Sequence, residues 1–249
     1  MTVDVRWESL YQQVELVRGV GNRKRGKMCI MSFVAFLAGE DHSDNPITAS
    51  PLIRQFAMTI NDEMPDHIRQ RLKSFAPRIL GTRDGCDRAR VRLLIEVSSN
   101  ELLPQIAAEF GSAATRDGCT PRGYQTNRKA MTLPQLHEQA VKLVSYGSDP
   151  GNMPPYEEAA AAVARLIAHC GRIARTPRRR DWYWVKAIEL LDRLCDVSAD
   201  HGRSGVTIER LSAVEAFLDS CNEQQQCKVH AAAAAAFARV RNLIPALIR

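Results

Sequence analysis

The chain has 249 residues, of which 45% are apolar and 25% are charged, and this composition is typical of a soluble globular protein. It excludes a chain that is disordered throughout, because such chains are poor in apolar residues and rich in net charge. The longest apolar stretch near the start, residues 28–38, is too short to span a bilayer and lies behind too many charges for a secretory signal. We therefore expect a cytoplasmic protein that does not contact a membrane.

The seven cysteines are scattered, and no two of them are spaced as C-x-x-C. Without an export signal, reduced thiols are expected. A structural zinc site would need ligands from distant segments, so we predict no metal site and no cofactor. The net charge is +6, and neither half of the chain is a basic arm. Local clusters of charge are therefore the features that would attract an anionic partner.

The first half of the chain shows the helical spacing of three and four residues, beginning at Trp7, Leu10 and Val14. Residues 27–38 are apolar on almost every side and predict a buried central helix. The dipeptide of Ser50 and Pro51 predicts the N-cap and first turn of the next helix. Further helices are predicted at residues 65–75, 91–97 and 101–110. No set of alternating strands is predicted.

The second half of the chain predicts longer helices. Polar, glycine-bearing stretches at residues 111–132 and 146–155 surround one short helix and are the linker candidates. Three or four helices follow, at residues 156–173, 177–197, 208–221 and 223–244. The expected fold is all-α: an irregular N-terminal helical domain (residues 1–111), a linker with one short helix (112–155) and a C-terminal helical bundle (156–249).

The strongest candidate for a binding site is a run of three arginines, which we call the arginine triplet: Arg178, Arg179 and Arg180. Thr176 and Pro177 predict a helix start immediately before it, which places the triplet in the first turn. Positive charge is unfavourable at this end of the helix dipole, so compensation by phosphate or by carboxylates of another surface is expected. The alternative is that the triplet is only a solvated face.

Aromatic residues follow the triplet directly. Trp182 could stack on a base or anchor a protein interface, together with Tyr183 and Trp184. Trp184 shares a helical face with Leu191 and Cys195, so that tryptophan is expected to belong to the core.

A second basic cluster lies in the sequence G-N-R-K-R-G-K at residues 21–27, and its members are Arg23, Lys24, Arg25 and Lys27. The run matches the G-x-x-x-x-G-K part of a phosphate-binding loop, but Met28 stands where the hydroxyl that reaches Mg²⁺ is needed. A helical period, and not a strand, precedes it. We expect a flexible connection here, or an anion-binding cluster ahead of the next helix.

Two further groups of charged residues are weaker candidates. The arginines between residues 83 and 92 lie close to acidic residues and are expected to be structural. Glu40 could orient His42 as a general base, or the acidic residues around them could supply metal ligands. They could equally form the polar end of a buried helix and a loop into Pro46. Because no nucleophile motif or second ligand cluster is present, we predict a protein that is not an enzyme.

The same region carries a resemblance to a family. Residues 28–46, M-C-I-M-S-F-V-A-F-L-A-G-E-D-H-S-D-N-P, resemble uncharacterised bacterial and phage-borne proteins that pair a Cys-x-Met helix with an A-G-E-x-x-S-D-x-P loop. The resemblance covers about residues 21–85. That family often has a histidine in place of Asn45 and a cysteine in place of Thr48, which argues against a metal site in this chain. The resemblance implies a setting in phages or mobile elements and no particular activity.

We therefore predict a non-enzymatic phage or mobile-element protein that binds and inhibits a host nucleoprotein machine, for example an anti-CRISPR protein that binds Cas proteins. Its partner would be a host protein or ribonucleoprotein complex in the host cytoplasm. Direct nucleic-acid binding through the basic clusters is the first alternative, and its affinity would fall steeply with salt. An enzyme that uses Glu40 and His42 is the second.

Overall fold

The computed structural model describes residues 3–111, 131–148, 153–197 and 206–243. Over these ranges the predicted all-α class is confirmed, with one small sheet in addition. The helices are α1 (Val3–Gln13), α2 (Ile30–Ala38), α3 (Pro51–Glu63), α4 (Asp66–Arg69), α5 (Ala76–Ile79), α6 (Asp87–Val97), α7 (Leu103–Phe110), α8 (Leu133–Ser145), α9 (Tyr156–Ile173), α10 (Pro177–Asp196) and α11 (Ile208–Leu243). None of the helices in these ranges is long and apolar enough to cross a bilayer.

Helix α2 is a buried centre of the N-terminal part, as its apolar sequence predicted. All side chains from Ile30 to Leu37 are buried, and the helix packs against α3, α5 and α11. Its N-cap is Cys29, whose sulfur accepts a hydrogen bond from the Ser32 amide at 3.3 Å. It ends at Gly39, which has a φ of 84° and so adopts the left-handed conformation that glycine favours.

Helix α9 is a second buried centre, because α3, α8 and α10 all pack against it. Small side chains allow this crowding: Ala159, Ala160 and Ala164 are almost fully buried. The buried residues of α3, α9 and α10 belong to one hydrophobic core. The predicted domain boundaries stay a prediction, but the segments before residue 112 and after residue 155 share this core.

Three strands of two residues each form a sheet that was not predicted: β1 (Glu15–Leu16), β2 (Gly21–Asn22) and β3 (Lys27–Met28). The order is β1-β3-β2, with β3 parallel to β1 and antiparallel to β2. Residues 21–28 thus form a hairpin, and the expectation of a flexible connection here is wrong. The hairpin requires its glycines, since a Cβ atom on Gly21 would lie 2.4 Å from the Lys27 carbonyl oxygen. Strands this short are too brief to show alternation in sequence.

Two interruptions of the helical pattern differ from prediction. The break expected near residue 98 is a π-helical turn at Ser98–Leu102, which joins α6 to α7 without leaving the helical path. The helix predicted at residues 65–75 is instead divided into α4 and a 3-10 turn at Gln70–Phe75, and Pro77 follows in the first turn of α5. Proline is tolerated there because a first-turn amide needs no partner within the helix.

Helix α11 is one continuous helix of 36 residues, so the predicted division into helices at residues 208–221 and 223–244 is wrong. The polar run at residues 222–226 interrupts the apolar period, but it contains no glycine or proline and is rich in glutamine, which propagates a helix well. Leu211, Val214 and Leu218 are buried, whereas residues 222–229 are all exposed.

Arginine side chains donate hydrogen bonds at the ends of several of these helices. The Arg69 side chain is almost fully buried and donates to the carbonyl oxygens of Asn61 and Met64 at the end of α3, at 2.6 and 2.7 Å. Arg210 of α11 donates in the same way to Phe36 and Leu37 at the end of α2, at 2.5 and 3.2 Å. Both guanidinium groups bond carbonyls at a helix end, where fewer backbone amides are available as donors.

The arginines between residues 83 and 92 were expected to be structural, and this is confirmed for Arg90. It is fully buried and donates to the carbonyl oxygens of Leu194 and Val197 at the end of α10, at 3.1 and 2.6 Å. It also forms ion pairs with Asp84 at 2.7 Å and Asp87 at 2.9 Å. Burial acts to raise the pKa of Asp84, but the hydrogen bonds and charge of Arg90 together with the hydrogen bond from the Cys86 amide hold that pKa below its usual value.

Candidate anion-binding surface

The arginine triplet occupies the first turn of α10, as predicted. The Thr176 side chain accepts a hydrogen bond from the Arg179 amide at 3.3 Å, and Pro177 is the first residue of the helix. Arg178, Arg179 and Arg180 are all exposed. Because α10 is 20 residues long, its N-terminus carries the full partial positive charge of the helix dipole, close to these arginines.

One further arginine extends this surface. Arg175 lies in the connection between α9 and α10 and is exposed. It was not singled out from the sequence, although it stands only three residues before Arg178. Within the described part of the chain, no ion pair or hydrogen bond of the side chains of Arg175, Arg178 or Arg180 is found. These three side chains are therefore open to an external anion.

The compensating carboxylate expected for the triplet comes in part from the chain itself. Glu109, near the end of α7, lies with one carboxylate oxygen 3.8 Å from a guanidinium nitrogen of Arg179. The Glu109 side chain is 1% exposed, whereas that of Arg179 is 49% exposed. Sequence spacing could not reveal this pair, because 70 residues separate its members. Of the triplet, only Arg179 has this internal counter-ion.

The other oxygen of Glu109 is held by α10. It accepts a hydrogen bond from the Tyr183 hydroxyl at 3.0 Å, and Tyr183 stands one helical turn after Arg179. Burial raises the pKa of the Tyr183 phenol far above its ordinary value, and its charged neighbours add to this effect. The phenol therefore stays protonated and acts as a fixed donor to Glu109.

The aromatic residues after the triplet are largely used inside the fold. Tyr183 and Trp184 are buried, which confirms that Trp184 belongs to the core. Trp182 is partly buried, packs edge-on against Tyr183 with ring centroids 5.0 Å apart, and has the Lys186 ammonium 5.6 Å from its ring centroid. Trp182 thus has ring contacts of its own and is not an open platform for a base.

The second basic cluster is divided by its contacts. The Arg23 side chain donates to the Glu40 carbonyl oxygen at 3.0 Å and covers the Phe36 ring at 4.7 Å. Lys27 pairs with Glu15 at 2.7 Å. Lys24 and Arg25 are exposed on the hairpin turn. The predicted cluster therefore leaves two basic side chains facing outward.

The anion position expected at the start of α2 is filled by the chain itself. The Ile30 amide donates to the Asn61 side chain at 3.2 Å, and the Ser32 amide donates to Cys29. Both amides are buried among apolar residues. The alternative in which the second cluster and this helix terminus hold one anion together does not fit this geometry.

Glu40 and His42, the residues of the enzyme alternative, are separate in the structure. The Glu40 carboxylate accepts hydrogen bonds from the amides of Ile47 and Thr48, at 2.8 and 3.4 Å, and so braces the loop into α3. The exposed His42 ring lies 3.4 Å from the Gly21 carbonyl oxygen. Glu40 therefore has the loop-forming role that was the structural interpretation of this group.

The thiols and the other side chains that could ligate a metal form no cluster in the described ranges. No group of three His, Cys, Asp or Glu side chains there is arranged to hold a metal ion. Burial raises the pKa of Cys170 and raises that of Cys195 to about 12. These two thiols stay protonated at neutral pH and are poor nucleophiles.

Comparison with known proteins adds no assignment. Searches against protein families, curated proteins and solved structures give no match to this chain. The resemblance of residues 21–85 to phage-borne proteins accordingly stays a prediction.

Proposed function

We propose that this chain is a non-enzymatic protein that binds and inhibits a nucleoprotein machine of a host cell, as an anti-CRISPR protein does. The surface that makes the contact is the start of α10. The phage setting comes from the resemblance at residues 21–85. The non-enzymatic assignment draws support from the loop-bracing contacts of Glu40 and the protonated state of the buried thiols.

The observation that carries the proposal is the exposure of Arg178 and Arg180 without an internal counter-ion in the described chain. Each positive charge at this helix terminus costs a few tenths of a kcal/mol, roughly 0.3–1 kcal/mol at the surface. An anionic partner removes that cost when it binds. Arginine also suits protein interfaces and phosphate groups better than lysine does, because its planar guanidinium makes paired hydrogen bonds.

The state of the aromatic residues favours charged contacts over base stacking. Single-stranded nucleic acids are held by open aromatic rings as well as by charge. Trp182 is engaged by Tyr183 and Lys186, and Trp184 is buried. We therefore place the acidic protein surface of the machine opposite the arginines. Direct binding to nucleic acid is the outcome that a mobility-shift assay at low salt would reveal.

Affinity capture from a host lysate, followed by mass spectrometry, tests the proposal. The wild-type chain is compared with the double variant Arg178→Ala/Arg180→Ala. A matched control, Arg71→Ala/Arg92→Ala, removes two other exposed arginines and changes the net charge equally. We expect the wild type and the control to retain the same subunits of a nucleoprotein complex, and the double variant to lose most of them. Equal capture by all three proteins contradicts the proposal.

A further inference from the structure

We propose that Glu109 is a built-in counter-anion that competes with the partner for Arg179 and so limits the contact to Arg178, Arg180 and their neighbours. This inference rests on the proposed function, because it concerns the strength of binding at the same surface. It makes Glu109 a residue that tunes the interaction without touching the partner.

The Glu109 carboxylate lacks one hydrogen-bond partner, and this observation motivates the proposal. One carboxylate oxygen is fixed by the Tyr183 hydroxyl. The other is buried and has no hydrogen-bond partner, since the Arg179 guanidinium lies 3.8 Å away, beyond hydrogen-bond distance. A buried carboxylate oxygen without a partner is costly. It therefore attracts the Arg179 guanidinium.

Arg179 has two alternatives that differ by a small movement. Its half-exposed side chain can close by about 1 Å on Glu109 to form a charge-assisted hydrogen bond. It can instead turn outward beside Arg178 and Arg180 to meet an external anion. The helix backbone need not move, because arginine reaches both positions by side-chain rotation. Glu109 is buried and tied to Tyr183, so it favours the inward position.

While Glu109 is charged, two arginines of the triplet, Arg178 and Arg180, are available to a partner. If Glu109 is neutralised by Glu109→Gln, the Tyr183 hydroxyl keeps an acceptor, because the glutamine side chain retains an oxygen. Arg179 then loses its counter-ion and becomes a third contact. Binding to a polyanion should therefore tighten and depend more steeply on salt.

Heparin serves as the probe, because it is a polyanion whose binding does not depend on identifying the partner. The measurement is affinity against salt concentration for the wild type, Glu109→Gln and Glu223→Gln. The last variant removes the same charge from the exposed part of α11. We expect the slope of log affinity against log salt to steepen by roughly one contact in Glu109→Gln, which corresponds to about a threefold larger loss of affinity between 50 and 200 mM salt. Glu223→Gln should leave the slope unchanged.

A second comparison leaves Glu109 in place, so that it is valid even if Glu109→Gln folds poorly. We expect Arg178→Ala and Arg180→Ala each to reduce the slope by roughly one contact, and Arg179→Ala to leave it unchanged. The inference is overturned if Arg179→Ala reduces the slope as much as its neighbours do, or if a folded Glu109→Gln keeps the wild-type slope. Unchanged capture of the host complex by Arg178→Ala/Arg180→Ala, whatever the heparin slopes, would instead count against the proposed function.

Discussion

At the level of single residues, arginine side chains hold the ends of three helices. Arg69, Arg90 and Arg210 each donate to carbonyl oxygens at a helix end, and for Arg90 and Arg210 that helix lies more than 100 residues away in the chain. A guanidinium group suits this task because it offers five donors in a fixed plane. The arrangement is stable only while every donor and every nearby carboxylate keeps its partner.

Arg90 gives the most direct test of this role. We expect Arg90→Met to destabilise the fold by about 3–5 kcal/mol, because Asp84 and Asp87 would remain as charges without their shared partner. Urea unfolding followed by circular dichroism measures the change in free energy of unfolding. The exposed Arg92 lies on the same helix, and Arg92→Met should change stability by less than about 0.5 kcal/mol. A loss below about 1 kcal/mol for Arg90→Met would show that the buried ion pairs are dispensable.

His169 predicts a dependence of stability on pH. Burial, with the nearby charge of Arg172, lowers its pKa from 6.5 to about 4. The unfolded chain therefore binds more protons between these values, so stability is complete above pH 6.5 and falls as the pH drops towards 4. The loss is at most about 3 kcal/mol, less what solvent screening removes.

Unfolding free energies at several pH values between 7 and 4 measure this effect. We expect His169→Leu to lose a large part of the dependence, whereas the same change at the exposed His67 should preserve it. If His169→Leu keeps the full wild-type slope in this range, His169 is not the group responsible.

At the scale of elements, the packing of α10 against α9 depends on one glycine. A Cβ atom on Gly171 would lie 2.9 Å from the buried ring of Trp184. In an open helix, Gly→Ala stabilises by about 1 kcal/mol. Here the clash should reverse the sign, and we expect Gly171→Ala to cost about 1–3 kcal/mol.

Thermal and urea unfolding show whether Gly171→Ala raises or lowers the free energy of unfolding. Arg165→Ala, at an exposed position of the same helix, is the reference for an alanine that meets no ring. A stabilised Gly171→Ala variant would mean that Trp184 moves aside without cost, and would refute close packing of α9 against α10.

The elements also show what sequence patterns can and cannot reveal. The spacing of apolar residues and the capping residues Ser50 and Thr176 are local signals, and they placed α2, α3, α9 and α10 well. The hairpin at residues 21–28 gave no such signal, because two-residue strands have no period. The prediction of a break in α11 was wrong because a polar run without glycine or proline does not stop a helix.

The candidate site was predictable only in its local part. The triplet and the start of α10 followed from five adjacent residues, 176–180, and the structure places them as expected. The pairing of Arg179 with Glu109 depends on how α7 packs near α10, so no spacing rule could give it. The same reason hid the capping role of Arg90, whose carbonyl partners are more than 100 residues away in the chain.

At the scale of the whole molecule, some basic side chains make internal contacts and others do not. Several arginines and lysines are consumed by internal contacts, as Arg23, Lys27 and Arg90 are. The start of α10 differs because it brings three exposed arginines without a counter-ion in the described chain, Arg175, Arg178 and Arg180, to one helix terminus. Net charge therefore says little about where a partner binds, whereas the local balance of charges selects one surface.

The most direct test of the proposed function is the salt dependence of binding to the captured host complex. Affinity is measured from 50 to 200 mM salt for the wild type, for Arg178→Ala/Arg180→Ala and for the Arg71→Ala/Arg92→Ala control. We predict that the first double variant binds at least about tenfold more weakly at low salt, with a weaker dependence on salt because exposed charge pairs are screened by ions. The control should match the wild type. Equal affinity and equal slope for all three proteins would contradict the claim that the start of α10 is the binding surface.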